Sequence, residues 1–335
     1  MDMLKRLLYL FYYLKQSELS KIKPFLKYVS SVTKRSKTEL VFDAVISVFK
    51  YNTSIKDYFY FRFFELNDEE RSKWAGTGFM YEYQLVMNPK DKRKVLEDKI
   101  LFLNNYREFI KRNFTSIDDL KRGIGIAGKV FNNTSGKIVL KNSHGQVGAE
   151  VEVIRTDRYT LKELIVYMEK KGYDLVEEYV VQHPQLMELS PSGLNTVRIF
   201  TQITGNKIDF PGARLRISVN SPVDNMGAGN IAAPVDIDTG IVTGAGVYSD
   251  ITKADEEIHP VTGKAIKGFK IPFWNETIEM VRKAALHDTG NRSIGWDIAI
   301  TKNGPLLIEG NHNWCKLLWQ LPVKKGLKKE LVKYL

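Results

Sequence analysis

Residues 294–313 read IGWDIAITKNGPLLIEGNHN, two β-strands joined by a tight turn. Ile298, Ile300, Leu306 and Ile308 supply the alternating apolar positions, and Asn303-Gly304 is a strong hairpin-turn signal. Asp297 lies on the first strand, and Glu309 and Asn311 on the second. Glu309 and Asn311 are two residues apart, so both leave the same face of their strand, and Asp297 can sit opposite them across the ladder. Two carboxylates and an amide form an oxygen-only donor set suited to a hard cation such as Mg²⁺. Magnesium held by so few protein groups usually carries nucleotide phosphates as well.

Such a metal needs a phosphate cradle, and residues 137–153, KIVLKNSHGQVGAEVEV, offer one. A short apolar strand ends on Lys141. A turn of small and polar residues follows, including Ser143, His144, Gly145 and Gly148, and then a second strand. Glycine lets backbone N–H groups approach an anion closely, and Lys141 reaches phosphate as a point charge. An ordinary hairpin has the same outline, and no Gly-Lys-Ser/Thr element opens a helix here, so this is not a P-loop. Residues 174–183, DLVEEYVVQH, carry Glu177 and Glu178 on a β-branched run that leads into a polar linker. This segment reads as a hinge between lobes, with the backbone of Glu178, Tyr179 and Val180 placed to read an adenine edge.

The order of these parts resembles the ATP-grasp superfamily, in the order also found in D-alanine–D-alanine ligases. More closely, EEYVVQHPQLMELSPSGLNTVRIFT (177–201), GNIAAPVDIDTG (229–240) and the 294–313 hairpin resemble the sugar-transfer-associated ATP-grasp proteins, usually found with polysaccharide biosynthesis. The resemblance spans roughly residues 90–325. It implies an α+β ATP-grasp fold in which two α+β lobes clasp ATP, with Mg²⁺ on Asp297, Glu309 and Asn311. It also implies a phosphate-side role for Lys99, in LEDKILF, which by itself is one charge in a solvated helical run. The expected organisation is a helical N-terminal region (1–120), a small lobe (121–180) and a large lobe with the metal and acceptor site (181–335). One departure matters. D-alanine ligases place an arginine just before the metal aspartate, whereas Gly295-Trp296 precede Asp297 here. Arg198, Arg214 and Arg216 are the candidates for that role. Strand arginines are costly in a core unless paired, and Arg214 and Arg216 share a strand face, so they clamp an anionic substrate or form structural salt bridges.

The chain has 335 residues, 43% hydrophobic and 27% charged, in the range of a globular protein of two or three lobes. One cysteine, Cys315, excludes an internal disulfide and fits a reducing, cytoplasmic setting. No pair of the five histidines has zinc-site spacing. A net charge of +11 favours acidic partners such as nucleotides, sugar phosphates or anionic lipid, and no motif supports specific nucleic-acid recognition. Residues 36–66, 91–114, 161–172 and 276–286 read as helical, and 195–203 and 213–219 as strands, with loops expected at 68–78 and at Asp118-Asp119. Residues 7–14 are too short to span a bilayer. Leu4, Leu7, Leu8 and Phe11 share one helical face, which either packs on the protein's own core or lies on the inner membrane surface within a basic segment, residues 1–37. The packed arrangement is the expectation.

The functional expectation is an ATP- and Mg²⁺-dependent carboxylate–amine (or carboxylate–thiol) ligase working through an acyl phosphate on a small-molecule or glycan-precursor substrate, joining an amino acid to a sugar acid or amino sugar in surface polysaccharide biosynthesis. A kinase acting on a sugar or lipid hydroxyl, and a nucleotide-binding protein without turnover, are the alternatives.

Overall fold

A computed structural model describes residues 3–16, 19–123, 127–145 and 151–335. Among these, nine strands form two antiparallel sheets. The smaller contains β1 (Phe114–Ser116), β2 (Lys137–Lys141), β3 (Val151–Arg155) and β4 (Leu175–Glu178), in the order β1-β4-β2-β3. The larger contains β5 (Thr196–Thr204), β6 (Lys207–Ile217), β7 (Ile231–Val235), β8 (Ser293–Thr301) and β9 (Gly304–Asn311), in the order β7-β6-β5-β8-β9.

The small sheet buries Ile138, Leu140 and Val176 against Leu164 and Met168 of a helix at Leu161–Lys171. Thr160 and Glu163 form a capping box at the start of that helix, and Gly172, with φ of 74°, ends it in the left-handed region. Asp118 and Asp119, expected in a loop, lie in the first turn of a helix at Ile117–Lys121, where Ser116 caps the Asp119 N–H. Acidic groups favour the positive end of a helix, which explains the difference. Likewise Asn67 and Glu70 form a capping box for a helix at Asp68–Ser72, inside the expected break.

One face of the large sheet presents Val197, Ile199, Leu215, Trp296 and Ile298 to a helix at Trp274–His287, which packs down with Met280, Val281, Ala284 and Ala285. Phe200 on the opposite face packs with Trp314, Trp319 and the helix Thr77–Met87. The 294–313 hairpin forms around Gly304, whose φ of 106° suits glycine alone. Its apolar pattern differs from the expected one. Between Asp297 and Ile298 the ladder shifts register, so Ile298 faces Leu307 and Asp297 faces Glu309. Ile308 is the extra, bulged residue and is half-exposed, while Leu307 takes its expected place in the core.

The N-terminal helices include Met3–Gln16, Leu19–Thr33 and Lys37–Tyr51, with an aromatic cluster beneath them in which Phe61 stacks on Trp74 at 4.4 Å. No helix among the described residues is long and apolar enough to cross a membrane.

Trp296 is fully buried between the central strand and the helix above it, and its indole N–H donates to Thr201. Trp296→Ala is expected to lower unfolding stability by about 3–5 kcal/mol, read by denaturant titration. A loss below about 1 kcal/mol would contradict this packing role.

Candidate active site

A single row of charged residues crosses the large sheet. Arg214 on β6 faces Arg198 on β5, Arg198 faces Asp297 on β8, and Asp297 faces Glu309 on β9. Directly opposed residues in an antiparallel sheet share a face, so all four project from the same side. The bulge makes this alignment. Without Ile308's extra place, Asp297 would face Ile308, and Glu309 would face Trp296 on the core side.

Arg198 grips Asp297 through two bonds, from Nε to Oδ1 and from Nη2 to Oδ2, the latter at 2.8 Å. Arg216 adds a third from Nη1 to Oδ2 at 2.7 Å, and its other arm meets Asp224 at 2.7 Å. Burial pushes the Asp297 carboxyl up, but the Arg198 and Arg216 guanidiniums outweigh it and hold the group well below the usual carboxylate range. Glu309 behaves oppositely. Burial first, and then the Asp297 charge, raise its carboxyl above the ordinary value, and it hydrogen-bonds to Asp297. Asn311 donates from Nδ2 to Glu309 at 3.1 Å and to the Gly295 carbonyl at 3.3 Å. Among the described residues no carboxylate pairs with Arg214. It donates to the Trp319 and Ala213 carbonyls, and burial lowers it to about 9.

The small sheet supplies the facing groups. Lys141 pairs with Glu177 at 2.7 Å, and Arg112 meets the same carboxylate at 2.6 Å. Burial opposes ionisation of Glu177, but Arg112 and Lys141 prevail and depress it to about 2. Arg112 also donates to the Leu307 carbonyl at 2.6 Å and the Ile308 carbonyl at 3.4 Å. One guanidinium therefore ties the small sheet to the bulge of the large one. Lys99 opens a helix at Lys99–Asn105 and turns its ammonium onto the carbonyls of Asn142 (3.0 Å), Ser143 (3.3 Å) and Gly145. Burial lowers its pKa, Glu309 opposes that effect and Lys141 adds to it, so all three charges lie within electrostatic reach.

Other sequence candidates have structural partners. The Ser143 hydroxyl and N–H both bond Asp174, at 2.5 and 2.6 Å. His144 is exposed, 4.0 Å from Asp98. Glu178 accepts from the Asn113 N–H and side-chain amide, and the Glu178 and Tyr179 N–H groups donate to the Asn113 and Lys137 carbonyls. Val180 follows directly after this bonded pair in the linker. Gly148 lies outside the described residues.

Among the described residues no three His, Cys, Asp or Glu side chains cluster to hold a metal. The donor set is two carboxylates and one amide oxygen, all hard oxygens. Two carboxylates sharing a hydrogen bond, one with its proton affinity raised, are a pair whose repulsion a dication relieves. The set therefore fits Mg²⁺ that draws its remaining ligands from water and phosphate.

Arg112 and Asp224 were missed in the sequence. Arg112 sits in KRN, where a solvated charge is the ordinary expectation, and only the fold turns it inward. Asp224 reads as a turn residue but is buried, accepting from the Thr196 N–H (2.8 Å) and hydroxyl (2.5 Å).

Because the Glu177 pKa falls from 4.5 to about 2 on folding, its pairing stabilises the protein fully above pH 4.5 and is lost as pH falls toward 2. Acid titration of unfolding should show this slope, and Glu177→Gln should flatten it; an unchanged slope would contradict the pairing. Arg112→Met should destabilise by about 3–5 kcal/mol, because Glu177 then keeps a single cation in a buried setting.

No curated protein matches this chain. Among solved structures it is similar to the ATP-grasp ligase PsnB complexed with precursor peptide PsnA2 and AMPPNP (12% identity, 79% of this chain and 68% of that one, TM-score 0.44). It is also similar to D-alanyl-alanine synthetase A from Vibrio cholerae (12%, 65% and 55%, TM-score 0.37). A third is N5-carboxyaminoimidazole synthetase from Staphylococcus aureus (11%, 69% and 52%, TM-score 0.39). The model of one family, sugar-transfer associated ATP-grasp, matches residues 79–334, and the chain belongs to that family.

Proposed function

We propose that this protein is an ATP-dependent ligase that joins a carboxylate to an amine through an acyl phosphate, with a glycan precursor, such as a uronic acid or amino sugar, as one substrate. ATP and Mg²⁺ are the cofactors that membership of an ATP-grasp family brings. The observation that carries the reading is the aligned row of Arg214, Arg198, Asp297 and Glu309, with Arg216 beside it.

In this reading Asp297, Glu309 and Asn311 hold Mg²⁺, which neutralises phosphate charge. Lys141 and Lys99 receive the triphosphate beside the Asn142–Gly145 turn, and the backbone around Glu178–Val180 contacts the base. A substrate carboxylate oxygen attacks the γ-phosphorus and ADP leaves. The amine nitrogen then attacks the acyl carbon, phosphate departs, and the amine gives up a proton. Charge builds on oxygens in both steps, so Arg198, Arg214 and Arg216 act as preorganised cations on the face where it develops. No covalent enzyme intermediate is needed. A sugar-linked substrate suits the family's description, sugar-transfer associated.

The test separates ADP, AMP and phosphate after incubation with Mg²⁺, ATP and paired panels of amino acids, uronic acids and amino sugars. ADP and free phosphate should appear together only with an acid and an amine. Asp297→Ala should reduce turnover at least about a hundredfold. A phosphorylated sugar without free phosphate would replace this reading with a kinase, and AMP with pyrophosphate would overturn the acyl-phosphate route.

A further inference from the structure

The N-terminal helix Met3–Gln16 does not bury the apolar face that its sequence offers. Leu8, Phe11 and Tyr12, spaced three and four residues apart, are 61%, 62% and 55% exposed, and on this stretch it is Tyr13 that turns inward. Leu7, Leu8 and Phe11 therefore do not meet the expectation that this face packs on the protein's own core. The helix is nevertheless anchored. Tyr9 donates to Glu82 at 3.1 Å, Lys5 pairs with the same carboxylate at 3.0 Å, and Tyr9 meets Tyr81 edge-on at 6.2 Å. It also packs along the helix Lys37–Tyr51. That helix buries Leu40, Ala44 and Val48 on one side and exposes Phe42 (67%) and Ile46 (41%), one turn apart, on another.

Single exposed apolar residues are ordinary, but two contacting helices that each present them at helical spacing are not. Charge identifies what covers them. In residues 1–37 nine lysines and arginines oppose two acids. Protein–protein interface cores are depleted in lysine, whereas a leucine- and aromatic-bearing face within a lysine-rich segment is the composition of a helix lying in an anionic membrane surface. Tyr12 and Phe11 belong to the residue types that settle at the headgroup level or just below it.

We infer that the helices Met3–Gln16 and Lys37–Tyr51 form a peripheral docking surface for an anionic lipid bilayer, with Leu8, Phe11, Tyr12, Phe42 and Ile46 entering the interface and the surrounding cations meeting lipid phosphates. The surface holds the catalytic lobes beside the membrane without any span. It does not rest on the ligase reading, since none of these residues belongs to the active-site row.

Cosedimentation of the full chain with phosphatidylglycerol-containing vesicles, and with phosphatidylcholine vesicles alone, tests it. The protein should pellet with anionic vesicles at low salt and partition at least about tenfold less into neutral ones. Leu8→Asp with Phe11→Asp should abolish pelleting while thermal unfolding is retained. Lys34→Glu with Lys37→Glu, at the exposed start of the second helix, should weaken it several-fold at low salt and little at about 0.5 M salt. Absence of the wild-type protein from anionic vesicles would overturn the inference. So would sedimentation velocity showing a dimer that the Leu8/Phe11 variant dissociates without any vesicle binding, because the face would then cover a second copy of the chain. Undiminished vesicle binding by that variant would overturn it as well.

Discussion

The extra residue at Ile308 is the constraint on which the site depends. A strand alternates faces strictly, so one added residue moves everything beyond it to the other side. On β9 the shift brings Glu309 opposite Asp297 and leaves Leu307 in the core beside Ile298. Two demands on one hairpin, an apolar face against the helix Trp274–His287 and a charged face on the other side, are both met by this irregularity. Arg112 bonds the Leu307 and Ile308 carbonyls, so the bulge is also where the small sheet is fastened to the large one.

Electrostatics explains why buried charge is tolerated here. Asp297 is shared by Arg198 and Arg216, Asp224 takes Arg216's other arm, and Glu177 is shared by Arg112 and Lys141. Each of these three carboxylates thus has a cation against it, which buried ions require. Arg214 and Lys99 are different. Both are held by backbone carbonyls, partial charges only, and burial lowers the pKa of each. Glu309 is the complementary case, a carboxyl pushed toward its neutral form by burial and by Asp297. Arg214 and Lys99, held by carbonyls, and the adjacent Asp297 and Glu309 carboxyls are the groups whose charge an entering polyphosphate and dication would balance.

Much of this arrangement was legible in the chain. The Asn303-Gly304 turn, the apolar alternation of β8 and the two-residue spacing of Glu309 and Asn311 are local signals, and local chemistry sets them. The bulge was not legible, because LLIEGN reads as plausible alternation in either register, and only packing of Leu307 against Ile298 decides between them. Arg198 and Arg214 were visible as strand arginines, but their alignment with Asp297 depends on sheet order, which no single segment encodes. The N-terminal helix shows the limit from the other side: Leu7, Leu8 and Phe11 mark an apolar face, yet periodicity cannot say whether a core or something external covers it. Arg112 left no signal, since burial of a charged residue is a property of the assembled fold.

On the proposed reading, the bulge-aligned face would hold magnesium and nucleotide as one unit. Calorimetric titration with AMPPNP, in the presence and absence of Mg²⁺, measures this directly for the wild-type protein and Glu309→Gln. Wild-type binding should be strongly Mg²⁺-dependent, and most of that dependence should be gone in the variant. Equal wild-type affinity with and without Mg²⁺, or an unaltered Mg²⁺ dependence in Glu309→Gln, would contradict it.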